Sequence, residues 1–208
     1  MVIYYVFHGD VNMGAQFSGW GITIGVTIAI LAIPMAQALC NRLGKHVTLR
    51  LALGWMFIGS VLKWWCYNPS HPFLIFVIPF FYSLGISSFW MIIPAMQADV
   101  VDIDELHSGK RREAMFGAVQ SIGFRASSAI AITLMGFLLN ASGFVRDLGG
   151  NQTPETFFRL RFMYSFAMGC VILLSLLFLW KYDLTAKKMA EVSRELERRR
   201  RGVVAESA

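Results

Sequence analysis

The sequence predicts an all-α protein that crosses a membrane several times as a helix bundle. Of its 208 residues, 56% are hydrophobic and only 15% are charged, with a mean hydropathy of +0.53. A soluble domain carries nearer a quarter charged residues. The apolar residues also fall in long uncharged runs, several of which reach the roughly 20 residues that a helix needs to cross a bilayer.

Five apolar segments are predicted to span the membrane, and a short apolar segment precedes them. The predicted spans cover residues 17–39, 51–67, 73–98, 114–140 and 162–180. Residues 1–7 are too short to cross a bilayer, so we interpret them as the last two turns of a preceding helix. The predicted transmembrane bundle therefore comprises residues 1–182, and residues 183–208 form a basic tail.

The distribution of Lys and Arg predicts the orientation of these spans. Fourteen of them lie on one side, in the loop 40–50, the segment 97–113 and the tail, and three lie on the other side, in 141–161. Because basic residues are in excess in cytoplasmic loops, the first side and the C-terminus are predicted to be cytoplasmic. The chain is thus expected in the inner (plasma) membrane, in contact with the lipid bilayer. Its net charge of +6 does not indicate nucleic-acid binding, because the basic residues lie where membrane topology requires them.

Few side chains are arranged for enzymatic chemistry. The sequence has no phosphate-binding loop, no metal-ligand spacing and no nucleophile near a histidine. Its three cysteines are scattered and are interpreted as small core residues. We therefore expect neither an enzyme nor a metal site or cofactor within this chain.

Arg125 is the only charged residue of the predicted span 114–140. A charge at mid-membrane costs about 2.5–3.5 kcal/mol on insertion scales, so it should face a water-filled cavity or a carboxylate. Gln120, Ser121, Phe124 and Ser128 fall on the same helical face. This polar stripe favours a solute path, in which the partner of Arg125 is a substrate anion, the neighbouring acidic segment or a group outside this chain.

A charged segment, residues 97–113, joins two of the spans and carries five carboxylates and three basic residues. Asp99, Asp102 and Glu105 are spaced by three, so they share a face if the preceding helix continues. Carboxylates at a helix C-terminus oppose the macrodipole, and the basic residues 110–112 are therefore their expected partners. The segment is either a solvated loop or a gate whose ion pairs break when the helices separate.

The charged segment also carries a family resemblance. Residues 98–105 (ADVVDIDE), followed by Gly109, Arg111 and Glu113, resemble the signature of the glycoside–pentoside–hexuronide:cation symporters. This family, which includes the melibiose carrier, belongs to the major facilitator superfamily.

Other segments agree with the resemblance. Residues 4–10 (YYVFHGD) resemble the end of that family's seventh helix, and 43–46 (LGKH) resemble the loop between its eighth and ninth helices. Trp90 stands nine residues before Asp99, as a tryptophan does in the melibiose carrier. Three further residues align with a Gln, a Thr and a Lys on the family's eleventh helix: Gln120, Ser121 and Arg125.

The resemblance implies a role for each matched residue. Trp90 would stack on a sugar ring, Gln120 and Ser121 would bond its hydroxyls, and Arg125 would contact the solute or couple it to the cation site. With Phe124, which lies on the same helical face, these residues form the predicted substrate site. The predicted cytoplasmic gate comprises Asp99, Asp102, Glu105 and Arg111.

The resemblance also implies a larger protein. The family has twelve spans in two six-helix halves that hold the solute between them, and this chain corresponds to the second half with its first helix truncated. The coupling cation (Na⁺, H⁺ or Li⁺) is then expected to bind in the missing N-terminal half. The chain is expected to be the C-terminal portion of a symporter for a sugar or glycoside, and not to transport alone.

Arg at position 125, where the family has Lys, favours an acidic sugar such as a hexuronide or glucuronide, because the guanidinium is a planar fork suited to carboxylates. A neutral glycoside remains open. Two other functions are also open: a lipid or lysolipid carrier on the same fold, which requires an apolar lateral opening, and a non-transporting membrane subunit, which requires neither Arg125 nor Trp90.

Overall fold

The structure, a computed structural model, describes residues 1–180 and 186–206, and every regular element within these ranges is helical. It confirms the predicted all-α polytopic architecture, with five helices long and apolar enough to cross a membrane. The long helices are α1 (Val11–Leu43), α2 (Lys45–Cys66), α3 (Val77–Ser108), α4 (Glu113–Ala141), α5 (Pro154–Trp180) and α6 (Ala186–Glu206). Single turns are formed by Val2–Val6, Pro72–Phe76 and Arg146–Leu148.

Several segments expected to be loops are helical. The predicted loop 40–50 contracts to a break at Gly44, whose φ of +86° favours glycine, and the acidic part of 97–113 continues α3 as far as Ser108. The α3 helix ends where Gly109 adopts the left-handed conformation. Charged side chains project into solvent without interrupting backbone hydrogen bonds, so their presence does not end a helix.

Both termini of the chain also differ from a simple span-and-loop pattern. Residues Val2–Val6 form one π-helical turn, and α1 begins earlier than its apolar run because Asp10 accepts a hydrogen bond from the Met13 N–H (3.0 Å) as an N-cap. Part of the predicted tail, residues 183–185 and 207–208, lies outside the described residues, and the remainder forms α6.

Helices α2 and α5 are antiparallel, and each contributes an arginine to the C-terminal end of the other. Arg50 Nη2 donates to the carbonyls of Leu179 (3.0 Å) and Trp180 (3.3 Å). Arg161 Nε donates to the Trp64 carbonyl (2.8 Å). The last carbonyls of a helix lack partners within the helix, so these bonds satisfy groups that lipid cannot hydrate.

Small residues bring α2 close to its two neighbours. Ser60 Oγ donates to the Ser165 carbonyl of α5 (2.8 Å), and a Cβ atom added to Gly169 would lie 2.9 Å from Ser60 Oγ. On the other side, a Cβ atom at Gly59 would lie 2.4 Å from the Cβ of Phe81 in α3. Close approach of this kind is how helices associate in lipid, where apolar surface gains little from burial.

The tightly packed part of the bundle consists of α1, α3, α2 and α5, since α3 packs against both α1 and α2, and α2 packs against α5. Its central cluster joins α2, α3 and α5 and comprises Leu49, Leu53, Met56, Ile92, Met96 and Ile172. By contrast, α4 has no buried residue and touches α3 and α5 at few positions. Helix α4 therefore leaves most of its surface uncovered by the other helices.

We expect Gly59→Ala to lower the thermal unfolding midpoint of the detergent-solubilised chain, because its methyl group cannot enter without displacing Phe81. Overpacking of this kind costs about 1–3 kcal/mol, which corresponds to about 2–12 °C for a domain of this size. Gly54→Ala on the same helix is the matched control, since nothing lies within 4 Å of its added Cβ. Equal midpoints for the two variants would contradict the packing at Gly59.

Candidate functional site

The charged end of the bundle is the end where α2 and α4 begin and where α1, α3 and α5 finish. Here Lys45 Nζ donates to both carboxylate oxygens of Asp99 (2.7 and 2.8 Å) and to the Ala95 carbonyl (3.1 Å). Asp99 is only 8% exposed. Because Lys45 is the first residue of α2, this pair fastens the start of α2 to α3.

Arg111 forms a second group of ion pairs at the charged end. Its Nη1 lies 3.2 Å from Glu105 Oε2 and 3.6 Å from Asp102 Oδ1, and its Nε lies 3.1 Å from Glu113 Oε2. The turn at Gly109 folds the chain back, so Arg111 reaches both the end of α3 and the start of α4. The Glu113 carboxylate, with Glu105, raises the pKa of the Arg111 guanidinium above its ordinary value.

The structure therefore brings together three of the four predicted gate residues, namely Asp102, Glu105 and Arg111. Asp99 is the exception, since its partner is Lys45 rather than a basic residue of 110–112. The sequence analysis placed Lys45 in a loop and missed this pair, because nothing in the sequence spacing relates residues so far apart. The only signal was the resemblance of residues 43–46 to a family loop.

Further basic residues also bind the end of α3. Arg112 pairs with Asp104, and Arg199 of α6 donates from Nη1 to the Leu106 carbonyl (2.8 Å). A basic side chain on the last carbonyls of a helix satisfies unpaired acceptors and is favoured by the macrodipole. The basic tail is thus fastened to α3 in addition to carrying charge.

Two of the predicted substrate residues, Trp90 of α3 and Phe124 of α4, are in contact. The rings of Trp90 and Phe124 stack at a centroid distance of 5.5 Å and an interplanar angle of 23°, and they remain 60% and 38% exposed. Gln120 is half-buried. Ser121 Oγ donates to the carbonyl of Gly117 within its own helix (2.9 Å), so its hydroxyl proton is already engaged while its lone pairs are available.

Arg125 is exposed, and within residues 1–180 and 188–199 no side chain forms an ion pair or hydrogen bond with its guanidinium. The acidic segment, one of its three expected partners, instead pairs with Lys45, Arg111 and Arg112. A charge within a span requires water or an anion. Helix α4 therefore carries both a stacked aromatic residue, Phe124, and an exposed charge at the next position, Arg125.

A groove of about 510 Å³ lies between α4 and α5, in the half of the bundle away from the charged end. Its walls are almost entirely apolar. Lys63 of α2 also lines it, with Nζ 4.2 Å from the ring centroid of Tyr82 and 4.6 Å from that of Tyr164. Lys63 lies within the predicted span 51–67, and the sequence analysis assigned it no role.

Residues 2–186 match the sequence model of a family described as MFS/sugar transport protein. The chain belongs to this family. The resemblance expected from the acidic segment is confirmed, and the protein is a multi-pass membrane protein of a family of transporters.

Curated relatives support the same membership. An uncharacterized symporter of Synechocystis sp. is 32% identical over 158 residues, covering 74% of this chain and 28% of the relative. A glucuronide carrier protein homolog of Escherichia coli is 25% identical over 83% of this chain and 37% of its own length. An isoprimeverose transporter of Lactiplantibacillus pentosus is 22% identical over 78% of this chain and 34% of its own length.

The chain thus spans about a third of the length of these curated relatives. No solved structure matches the chain significantly.

We expect Lys45 and Asp99 to be energetically coupled. A double-mutant cycle with Lys45→Met and Asp99→Asn, followed by equilibrium unfolding in mixed micelles, should give a coupling of about 1 kcal/mol, the upper range for pairs that solvent partly screens. The exposed pair Glu155–Arg159 is the matched control and should give about 0.3–0.5 kcal/mol. Equal coupling free energies for the two pairs would show that the partial burial of Asp99 does not strengthen its interaction with Lys45.

We expect Arg111→Gln to loosen the connection between α3 and α4, because one side chain holds carboxylates from both helices. Amide hydrogen exchange in residues 106–113 should become faster. The neighbouring Lys110→Gln removes the same charge from a side chain that forms no ion pair in the part of the chain that the structure describes, and it should leave exchange unchanged. Comparable acceleration in both variants would mean that net charge, rather than the Arg111 contacts, sets the exchange rate.

Proposed function

We propose that this chain is the C-terminal part of a cation-coupled symporter for an acidic sugar, a hexuronide or glucuronide. The observation that carries the proposal is Arg125, an exposed charge within a span that has no ion-pair or hydrogen-bond partner among the described side chains. It directly follows Phe124, whose ring stacks on that of Trp90. The names of two relatives, a glucuronide carrier homolog and an isoprimeverose transporter, support a sugar-related solute.

In this proposal each group at the site has a distinct role. The exposed face of Trp90 and Phe124 stacks on the apolar face of the sugar ring, and Gln120 bonds its hydroxyls. Ser121 accepts a hydrogen bond from a sugar hydroxyl, since its own proton is engaged with Gly117. The guanidinium of Arg125 binds the sugar carboxylate in a bidentate manner. Neutral glycosides cannot form this charge-assisted contact.

The charged end acts as the cytoplasmic gate in the proposed mechanism. The orientation follows from the excess of Lys and Arg on this side. The Arg111 side chain is 48% exposed, and the exposure of its partners ranges from 15% for Glu105 to 68% for Glu113. Pairs screened by solvent contribute little free energy each. They can therefore break and reform as the two halves of the transporter alternate between inward-open and outward-open states, while the less exposed Lys45–Asp99 pair keeps α2 attached to α3.

The coupling cation (Na⁺, H⁺ or Li⁺) is proposed to bind in an N-terminal half that this chain does not contain. No cluster of His, Cys, Asp or Glu that could hold a metal ion occurs among the described residues. The chain spans about a third of the length of the matched relatives, which leaves room for such a half. We therefore expect the 208-residue chain alone not to transport.

A lysolipid carrier is the second candidate, and the apolar groove between α4 and α5 favours it. A groove that stayed open to lipid in the whole protein would admit an acyl chain. The non-transporting subunit predicts instead that Arg125 and Trp90 can be replaced without effect.

The proposal is tested by expressing the chain with the sequence encoded directly upstream and measuring uptake of a radiolabelled glucuronide. We expect Arg125→Gln to lower uptake about tenfold or more, because the lost charge-assisted contact is worth at least about 1.4 kcal/mol. Arg125→Lys should be intermediate, since it keeps the charge but not the fork. Arg146→Gln, which removes an exposed charge outside the spans, is the matched control.

An uncharged glycoside assayed in parallel identifies the role of Arg125. If the glycoside is transported and its uptake is unaffected by Arg125→Gln, Arg125 recognises the carboxylate of the acidic sugar. If glucuronide uptake is unchanged in Arg125→Gln at equal expression, the acidic-sugar proposal is wrong. Uptake of lysophosphatidylcholine but of no sugar would transfer support to the lipid carrier.

A further inference from the structure

We infer that the main-chain carbonyl of Trp90, which Pro94 leaves without its usual helical partner, accepts a hydrogen bond from a hydroxyl group of the solute. The inference rests on the proposed function, because it requires a hydroxyl-bearing solute beside Trp90. It goes further by adding a main-chain acceptor to the side chains of the proposed site. Pro94 then affects binding through the carbonyl that it releases.

Pro94 lies inside α3, which continues to Ser108. A residue within an α-helix donates its N–H to the carbonyl four positions earlier, and proline has no N–H. The carbonyl that loses this partner is that of Trp90, and no side chain among the described residues donates a hydrogen bond to it. Trp90 lies about 12 Å along α3 from the end of the predicted span 73–98, where a freed carbonyl requires a donor from a neighbour, from water or in a cavity.

The freed carbonyl lies on an open face of α3. A helical carbonyl points along the axis toward the residue four positions later, so this one is directed from Trp90 toward Pro94. Trp90 is 60% exposed, and Pro94 is exposed as well. Ile92 and Met96, on the opposite face of the helix, are buried in the central cluster. The acceptor is therefore on the side of α3 that faces away from this cluster.

The surroundings of this carbonyl favour a hydroxyl donor. The indole ring and the carbonyl belong to the same residue, so a sugar ring that stacks on the indole brings its hydroxyl groups near the carbonyl. A cation is the alternative ligand, since carbonyls of interrupted membrane helices can coordinate cations. However, the charge next to the stacked Phe124 is the guanidinium of Arg125, which repels a cation, and the carboxylate of Asp99 is already paired with Lys45.

Lys45 holds the part of α3 that follows Pro94. Its Nζ donates to the Ala95 carbonyl (3.1 Å) and to Asp99 (2.7 Å). The helix is thus fastened to α2 directly after the missing hydrogen bond, which keeps the Trp90 carbonyl in a defined position. An acceptor that is already positioned loses little conformational entropy when it binds a solute.

The test uses the chain expressed with the sequence encoded directly upstream and measures the Kd of a radiolabelled glucuronide in detergent. Pro94→Ala supplies an N–H that can occupy the Trp90 carbonyl. A matched protein carries lactic acid at position 94, which has the shape of alanine but forms an ester without an N–H. We expect Pro94→Ala to raise the Kd about 3- to 10-fold, as for the loss of one neutral hydrogen bond, whereas the lactic acid protein should retain the wild-type Kd.

Pro34→Ala is the control on another helix, since it also adds an N–H at an exposed proline inside a helix, α1. It should leave the Kd unchanged. An equal rise in the Kd of both proteins altered at position 94 would assign the effect to the proline ring and overturn the inference. An unchanged Kd in both would overturn it as well, and so would a change confined to the dependence on Na⁺, H⁺ or Li⁺, which would assign the carbonyl to the coupling cation.

Failure of the proposed function gives a different result. If the wild-type protein binds an uncharged glycoside but no glucuronide, the acidic-sugar proposal is wrong, and the same comparison made with the glycoside decides the role of the carbonyl. A wild-type protein that binds no sugar would overturn both. Glucuronide binding that depends on Arg125 but is equal in the two proteins altered at position 94 would overturn the inference alone.

Discussion

The last carbonyl groups of a membrane helix have no partners within the helix, and lipid cannot hydrate them. In this protein Arg50 and Arg161 satisfy such groups, each on the neighbouring antiparallel helix. This reciprocal contact fixes the register of α2 against α5, which brings Ser60 to the Ser165 carbonyl. The central position of α2, and with it the packing of α3 and α1, depends on that register.

The packed part of the bundle and α4 have different properties, and the difference has a functional meaning. Four helices pack closely, whereas α4 combines an exposed Arg125 with an apolar wall that faces the groove. An exposed charge within a membrane span requires water or an anion, whereas an exposed apolar stripe can face lipid. In the proposed transporter the solute binds the charge.

The charged end of the bundle shows which ion pairs local sequence spacing can predict and which it cannot. The spacing of Asp102 and Glu105 predicted a shared face, and the nearby Arg111 completes it because only a short turn at Gly109 separates them. The Lys45–Asp99 pair was not predictable from spacing, since helix packing alone brings α2 to α3. The same reason explains why the contacts of Lys63 were missed: the two tyrosine rings around it belong to α3 and α5.

The sequence by itself determined the fold class, the five spans and the family, because uncharged runs of bilayer length and a signature of adjacent residues are properties of the local chain. It also placed Gln120, Ser121 and Arg125 on one helical face. Only the tertiary structure decided that Trp90 stacks on Phe124, that Asp99 pairs with Lys45, and that α4 stands away from α5 across a groove containing Lys63. These contacts join residues on different helices, and their geometry depends on how backbones approach at small residues such as Gly59 and Gly169, which no periodicity within one helix encodes.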